Sequence, residues 1–205
     1  MFQGCTALKE VVIPSTVTKI DGSAFKQAGI GELKIPETVT TFGASVFVES
    51  GFKKIEFTNP FATYGATLLQ NSVNLETVIL PLGLKETKSS MFSGCTNLKN
   101  INLPSTLTTI NGSAFLDCTS LENIVIPEGV TYIGANTFKN CTGIKSIVIP
   151  ASVVNMYGTV FTGWTADQTI YLLGAEGDYK VNTTWMSAWI EGCEANIVWE
   201  YNPEA

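Results

Sequence analysis

Glu10 and Glu32 are the two residues whose type and spacing come nearest to acid–base chemistry in this chain. They stand 22 residues apart. If that interval is one structural repeat, their carboxylates lie about 5 Å apart, near the separation found in retaining glycosidases. Nothing in the sequence predicts burial that would raise the pKa of either acid, because the surface carrying them is expected to face water. The pair favours a solvated surface, and we expect the protein not to be an enzyme.

The composition excludes several kinds of site. All twelve basic residues are lysines, and the 205-residue chain contains neither arginine nor histidine. Bidentate guanidinium clamps, imidazole catalysis and imidazole metal ligands are therefore ruled out. The formal net charge of −6 opposes binding to phosphate backbones, so we expect no nucleic acid partner. The sequence holds no glycine-rich phosphate loop and no cluster of metal-binding residues, and we predict no cofactor and no metal ion.

Four of the five cysteines recur at one position, three residues after a phenylalanine or its equivalent. That position is occupied along the chain by Cys5, Ala28, Ser50, Ser72, Cys95, Cys118, Cys141 and Trp164. A metal site needs thiolates that converge on one point, whereas these form a line. Neighbouring repeats are close enough for a disulfide between Cys95 and Cys118 or between Cys118 and Cys141. We nevertheless expect free thiols that behave as small hydrophobic groups in an inward-facing column.

Two ladders of residues show that the chain is built from repeats of 22 or 23 residues. Prolines that follow an apolar residue recur at this interval, with Thr58 replacing one member: Pro14, Pro36, Pro81, Pro104, Pro127 and Pro150. A second ladder has the same phase and consists of Phe2, Phe25, Phe47, Leu69, Phe92, Phe115, Phe138 and Phe161. Two independent ladders with one period indicate a solenoid, in which each repeat is a turn that packs on its neighbours.

Each turn is expected to contain a short β-strand. The triplet before the proline keeps apolar residues at both ends and a variable residue between them, as in Ile124, Val125 and Ile126. This alternation directs the ends inward and the middle outward. Proline ends the strand because it lacks an amide hydrogen. A Ser-Ala-Phe segment on the far side is predicted to form a short helical or 3₁₀ turn. The fold class is a β-rich repeat solenoid with short parallel strands, of about eight turns over residues 1–179.

The middle residues of the triplets form an outward-facing row, here called the outer strand column. It comprises Val12, Lys34, Glu56, Ile79, Asn102, Val125, Val148 and Tyr171. Ile79, Val125, Val148 and Tyr171 are more apolar than solvation of a strand requires, which indicates a ligand-binding face. Plain β-propensity on an exposed strand is the alternative explanation. This column is our candidate binding site.

The two ends of the repeat array differ. The tryptophans all fall near the C-terminal end: Trp164, Trp185, Trp189 and Trp199. We predict that residues 180–205 cap the last turn and that residues 195–199 supply a ninth strand. An aromatic platform that binds a sugar or a protein is the alternative interpretation. The first turn, at Phe2, has no such cap, so it could pair with a second copy and support self-association.

One stretch of the chain carries a resemblance to a known family. The pattern Leu98-x-x-Ile101-x-Leu103-Pro104-x-x-Leu107-x-x-Ile110-x-x-x-Ala114-Phe115-x-x-Cys118 resembles the BspA-like, or Treponema-type, leucine-rich repeat. The resemblance covers about eight turns over residues 2–172, with departures at Thr58, Leu69 and Thr87. It implies an extracellular or cell-surface bacterial protein. No signal segment and no apolar run of membrane-spanning length is found in this sequence.

Three functions are open at this point. The resemblance favours a cell-surface or secreted module whose strand face binds a protein or a glycan on another cell or in the extracellular matrix, and so mediates protein–protein interaction or adhesion. A structural spacer within a larger surface protein would need no partner. A polysaccharide-active enzyme that uses Glu10 and Glu32 is the least favoured of the three.

Overall fold

The computed structural model describes residues 1–174 and 189–203. Twelve short strands follow one another in this part of the chain: β1 (Lys19–Ile20), β2 (Glu32–Ile35), β3 (Thr41–Phe42), β4 (Lys54–Phe57), β5 (Thr77–Ile79), β6 (Asn100–Ile101), β7 (Thr109–Ile110), β8 (Tyr132–Ile133), β9 (Ser146–Ile149), β10 (Asn155–Met156), β11 (Thr169–Leu172) and β12 (Asn196–Val198). Their pairings are parallel, each between successive turns. The predicted solenoid of parallel strands is confirmed.

The strand face forms one wall of the solenoid. Strands β2, β4, β5 and β6 make one sheet, and β9, β11 and β12 make another. Side chains alternate as the sequence predicts. In β2, Leu33 and Ile35 are buried, whereas Glu32 and Lys34 are exposed. This alternation sends one set of residues into the shared core and leaves the outer strand column facing solvent.

Two of the eight predicted triplets do not form regular strands. Residues 11–13 belong to the first described turn, where Gly31 N donates to Lys9 O at a long 3.4 Å. Residues 124–126 keep Ile124 and Ile126 buried, but the pairing there is limited to a bridge between Asn100 and Asn123. Both triplets keep the predicted direction of their side chains without a full hydrogen-bond ladder.

A second wall carries shorter strands. Strands β1 and β3 pair with each other, and β7, β8 and β10 form a three-stranded sheet. Each of these strands contributes one inward residue, and the register aligns Ile110 with Ile133 and Ile133 with Met156. All three side chains are buried. They close the core opposite the strand face.

The phenylalanine ladder forms the centre of the core. Ring centroids of Phe92 and Phe115 lie 5.3 Å apart, those of Phe115 and Phe138 5.7 Å, and those of Phe138 and Phe161 5.8 Å, all stacked. These four side chains are fully buried. Each ring packs on the ring of the next turn, so the ladder ties neighbouring turns together.

The far side of each turn is not helical, in contrast to the prediction. No helix occurs in residues 1–174 and 189–203. Ser113 and Asp117 have left-handed φ angles of 57° and 60°, and most other turns repeat this conformation. Ser113 N donates to Ala135 O at 2.8 Å, and Phe115 N donates to Thr137 O at 3.1 Å. The amides between these bond to the carbonyl three residues earlier, as Ala114 N does to Asn111 O at 3.2 Å. The segment therefore consists of single turns and not of a continuous α- or 3₁₀-helix.

Residues 189–203 stack on the turn that contains Phe161. Trp189 is buried, its ring centroid lies 5.9 Å from that of Phe161, and Gly163 N donates to Gly192 O at 2.8 Å. Strand β12 pairs with β11, so the expected ninth strand is present. Trp185 and the boundary after residue 179 lie outside the described residues. The division into a solenoid and a cap therefore stays a prediction.

Candidate binding face

Charged pairs occupy the N-terminal part of the strand face. Lys34 and Glu56 are in register on β2 and β4, and their Nζ and Oε1 atoms lie 2.9 Å apart. Glu32 is in register with Lys54. The Lys34 side chain is 70% exposed, so its pair with Glu56 contributes little to stability. This region is a solvated lattice of opposite charges.

Apolar side chains occupy the C-terminal part. Val125 is 78% exposed and Val148 is 38% exposed. Tyr171 is in register with Val148 on one side and with Val198, which is 37% exposed, on the other. These four residues, Val125, Val148, Tyr171 and Val198, are called the apolar strip below. With about 4.8 Å between neighbouring strands, the last three alone span roughly 10 Å.

The remaining members of the column are not part of this strip. Val12 is 88% exposed but lies in the first turn, and Lys34 and Glu56 separate it from the other apolar members. Ile79 is 41% exposed and is in register with Glu56. Asn102 is exposed between Ile79 and Val125. The predicted column exists as a row, but its apolar character is concentrated at one end.

Two residues that the sequence prediction left out belong to this end. Val198 extends the row because β12 continues the sheet. The ring of Tyr201 lies 4.3 Å from that of Tyr171, and Tyr201 N donates to Leu172 O at 3.0 Å. Alternation in residues 195–199 could have identified Val198. No periodic signal marks Tyr201, because its position depends on the course of the chain after β12.

The acidic pair offers little for catalysis. Glu10 and Glu32 are both exposed, and Glu32 faces Lys54 across the strand pair. An exposed carboxylate beside a lysine lacks the enclosed apolar surroundings of a general acid. In the described residues no group of three or more Cys, Asp or Glu side chains could hold a metal ion. Nor does this part of the chain contain a helix long and apolar enough to cross a membrane.

The cysteine position has a chemical property that the sequence prediction missed. Its side chains donate hydrogen bonds to the backbone carbonyl of the phenylalanine ladder one turn earlier: Ser50 Oγ to Phe25 O at 2.8 Å, Ser72 Oγ to Phe47 O at 2.9 Å, Cys95 Sγ to Leu69 O at 3.2 Å, Cys118 Sγ to Phe92 O at 3.1 Å, Cys141 Sγ to Phe115 O at 3.0 Å and Trp164 Nε1 to Phe138 O at 2.8 Å. Serine, cysteine and tryptophan differ in size, but each has a side-chain hydrogen-bond donor. We call these six residues the donor column.

Burial also sets the reactivity of the thiols. All five cysteines are unpaired. Burial raises the pKa of the Cys95 thiol to about 12 and also raises the pKa values of Cys118 and Cys141. Because the thiolate is the reactive form, these three side chains are protected both by inaccessibility and by protonation.

Thiol labelling is therefore expected to separate two classes of cysteine. At about pH 8, a reagent such as DTNB should modify the half-buried Cys5 and, more slowly, the half-buried Cys193, because burial also raises the pKa of the Cys193 thiol. The same reagent should spare Cys95, Cys118 and Cys141. Denaturation without reductant should then make all five thiols reactive toward the reagent. A Cys5→Ser/Cys193→Ser variant is the control and should label only after unfolding. Fewer than five reactive thiols in denaturant would contradict the unpaired state, and fast labelling of folded Cys118 would contradict the buried column.

Comparison with known proteins agrees with this architecture. The family model of the BspA type leucine-rich repeat region matches six copies in this chain, over residues 1–122 and 40–166. No curated protein sequence matches the chain significantly.

Three solved structures are similar to the chain. A leucine-rich repeat protein from Bacteroides ovatus has 26% identity and a TM-score of 0.70, over 95% of this chain and 53% of that protein. The Treponema pallidum leucine-rich repeat protein has 21% identity and a TM-score of 0.55, over 82% and 73%. The pneumococcal vaccine antigen PcpA has 17% identity and a TM-score of 0.54, over 95% and 63%. The chain thus spans about half the length of the Bacteroides ovatus protein.

The period, the parallel strands and the family model agree along most of the sequence. Phe115 and Cys118, which carry the resemblance in the sequence, are buried in the shared core at the positions that the repeat assigns to them. The chain belongs to the family of BspA-type leucine-rich repeat proteins.

Proposed function

We propose that this protein is an interaction module and that the apolar strip on its strand face binds a protein partner. The observation that carries the proposal is the exposure of Val125 and Val148 on adjacent turns, beside Tyr171 and Val198 in register. Exposed apolar side chains that form a contiguous row mark interaction surfaces, whereas single ones do not.

The surroundings of the strip fit a protein ligand. Asn123, Ser146 and Thr169 lie two residues before Val125, Val148 and Tyr171 and supply hydrogen-bonding groups beside the strip. Asn123 Nδ2 donates to Asn100 Oδ1 at 3.3 Å, which leaves further donor and acceptor capacity on both amides. Apolar and aromatic anchors with a polar rim are the usual composition of protein–protein interfaces.

We extend the proposal to adhesion at the bacterial surface. On this account the domain is displayed on the cell or secreted, and its ligand is a protein on another cell or in the extracellular matrix. Membership of the BspA-type family supports this extension. A glycan ligand would contact the same face, where Tyr171 and Tyr201 offer an aromatic pair.

The test is capture of a partner followed by measurement of its affinity. The immobilised domain is exposed to host extracellular matrix and bacterial surface fractions, and the captured protein is purified and titrated. In a Val125→Lys/Val148→Lys variant the affinity should fall about 100-fold, since two desolvated anchors at roughly 1.4 kcal/mol each are replaced by charges. The melting temperature should not change, because Val125 is exposed and Val148 has room to extend a lysine into water.

Val12→Lys is the matched control. Val12 belongs to the same column but lies at the opposite end, so its replacement should leave the affinity unchanged. Equal losses in both variants, or no loss in the double variant, would contradict the proposal. Absence of any saturable partner would favour the structural spacer. Turnover of a polysaccharide that is lost in Glu10→Gln or Glu32→Gln would instead show an enzyme.

We also propose that the first turn supports self-association. Its side chains Phe2, Val11, Ile13 and Val17 line an open cleft of about 480 Å³. A second copy could cover this apolar surface. Light scattering at high protein concentration should detect dimers, and a monomer under those conditions would count against this arrangement.

A further inference from the structure

At one corner of the solenoid, large apolar side chains are exposed where the other turns expose polar or small ones. In five turns the residue after the proline is polar or small: Ser15, Glu37, Ser105, Glu128 and Ala151. In the fourth turn this residue is Leu82, which is 78% exposed. In the third turn Phe61, three residues past the Thr58 position, is 87% exposed, whereas Val39 and Leu84 at the same position of the adjacent turns are buried. The third turn is also the one in which Thr58 replaces the regular proline. Two exposed apolar residues thus lie at the same corner of adjacent turns, at different positions of the repeat.

The two residues border a common cleft. Phe61 and Leu82 line an open space of about 610 Å³ together with Pro60, Tyr64 and Leu84. The corners of the two turns are packed closely, because a Cβ atom at Gly83 would lie 2.7 Å from the carbonyl carbon of Pro60. Leu82 and Phe61 therefore sit on one continuous surface, which we call the corner cleft.

Tyr64 adds a polar group to this cleft. Its residue is 7% exposed, and its hydroxyl has no hydrogen-bond partner in the structure. Stacking on Phe42 at 5.0 Å and an edge contact with Phe57 at 5.5 Å hold the ring in place. Burial raises the pKa of the phenol, so the hydroxyl stays a neutral donor. A buried donor without an acceptor is unfavourable, and a ligand oxygen would satisfy it.

The rim of the cleft carries one lysine that is unpaired in the described residues, Lys85, beside the ion pair of Lys88 with Glu86. Lys85 stands at a position where four other turns carry threonine, and Lys88 stands at a position where no other turn carries a basic residue. Lys88 pairs with Glu86, whose second oxygen accepts from Asn111 Nδ2 at 3.2 Å. Lys85 makes no ion pair within the described residues. On a chain of net charge −6, the unpaired Lys85 at this rim favours an acidic ligand.

We propose that the corner cleft is a second docking site, for an acidic protein segment that carries a leucine or phenylalanine. The apolar side chain packs between Phe61 and Leu82, a carboxylate lies beside Lys85, and an oxygen of the segment accepts the Tyr64 hydroxyl. A protein segment fits better than a small molecule, since Phe61 and Leu82 project from the surface instead of enclosing a cavity. None of these residues belongs to the apolar strip.

Fluorescence anisotropy with designed peptides tests this site. The probe is a labelled peptide with a Leu-Phe core flanked by aspartates, and the matched probes carry lysine flanks or a Gly-Ser core. Saturable binding is expected for the acidic Leu-Phe peptide alone. It should weaken about tenfold in Phe61→Ser/Leu82→Ser and also in Lys85→Glu, and it should be unchanged in Val125→Lys/Val148→Lys. Because the last variant disables the apolar strip, failure of either site can be recognised separately.

Tyr64→Phe examines the hydroxyl. Removal of the hydroxyl should weaken binding of the acidic peptide. The melting temperature should stay the same or rise, because the variant lacks a buried hydroxyl that has no hydrogen-bond partner. The proposal is overturned if the acidic peptide does not saturate, if the lysine-flanked peptide binds equally well, or if the corner variants bind like the wild type. Competition by octanoate with equal affinity would instead indicate a small-molecule site. Dimers that disappear in Phe61→Ser/Leu82→Ser would show that a second copy occupies the cleft.

Discussion

Replacing Gly134 with alanine is expected to lower the free energy of unfolding by about 3 kcal/mol or more. A Cβ atom there would lie 2.7 Å from the Cα of Gly112 and 3.0 Å from the carbonyl carbon of Asn111. Both neighbours are backbone atoms of the previous turn, so relief requires the two turns to separate. Gly134 does not have a positive φ, and the need for glycine comes from this close approach.

Gly31→Ala provides the matched control. Gly31 also lies between two turns, but a Cβ atom at that position would meet no atom within 4 Å. Its replacement should change the stability by no more than about 0.5 kcal/mol. Urea denaturation followed by circular dichroism measures both variants. A loss below about 1 kcal/mol for Gly134→Ala, or equal losses at the two glycines, would contradict the inferred contact between turns.

Phe115→Ala is expected to cost about 3 to 5 kcal/mol. The ring of Phe115 is fully buried and stacks on Phe92 on one side and on Phe138 on the other. Its removal leaves one cavity that is lined by three successive turns. In a solenoid each turn is stabilised mainly by its neighbours, and a defect in a central turn therefore weakens the coupling between the two halves of the array. Unfolding should become less cooperative as well as occurring at lower urea.

Phe61→Ala serves as the control for the same chemical change at an exposed position. Phe61 is 87% exposed, so the truncation should leave stability within about 0.5 kcal/mol of the wild type. Denaturation monitored by both circular dichroism and tryptophan fluorescence would measure the two variants. Similar losses for Phe61→Ala and Phe115→Ala would show that the phenylalanine ladder is not the core of the fold.

The core could be predicted from sequence because it follows a strict period. Phe92, Phe115 and Phe138 are separated in sequence by one repeat length each. They therefore occupy the same place in successive turns, and their rings stack. The direction of the strand residues follows equally well from alternation. Neither prediction depends on the backbone conformation that closes each turn.

The conformation of the far side could not be predicted in the same way. Ser113 and Asp117 adopt left-handed φ angles, which are uncommon for residues other than glycine, and their amides bond to the next turn. The donor role of Cys118 was missed for a related reason. Its acceptor, Phe92 O, lies 26 residues earlier, and a pattern of apolar residues carries no information about such a bond.

The candidate site was only partly predictable. Alternation identifies Val125 and Val148 as outward residues, but their different exposures, 78% and 38%, depend on how neighbouring turns pack. The pairing of Tyr171 with Tyr201 depends on the course of the chain after β12. A repeat therefore predicts which residues face outward, and the irregular parts of the structure decide which of these form a continuous surface.

Hydroxyl-radical footprinting of the domain with its captured partner tests the central claim most directly. The modification rates of Val125, Val148 and Tyr171 are predicted to fall in the complex. Tyr132 and Tyr157, whose rings lie 5.3 Å apart away from the strand face, provide an internal control and should react as in the free protein. Protection of Tyr132 and Tyr157 with no change at Val125 and Val148 would contradict binding through the strand face.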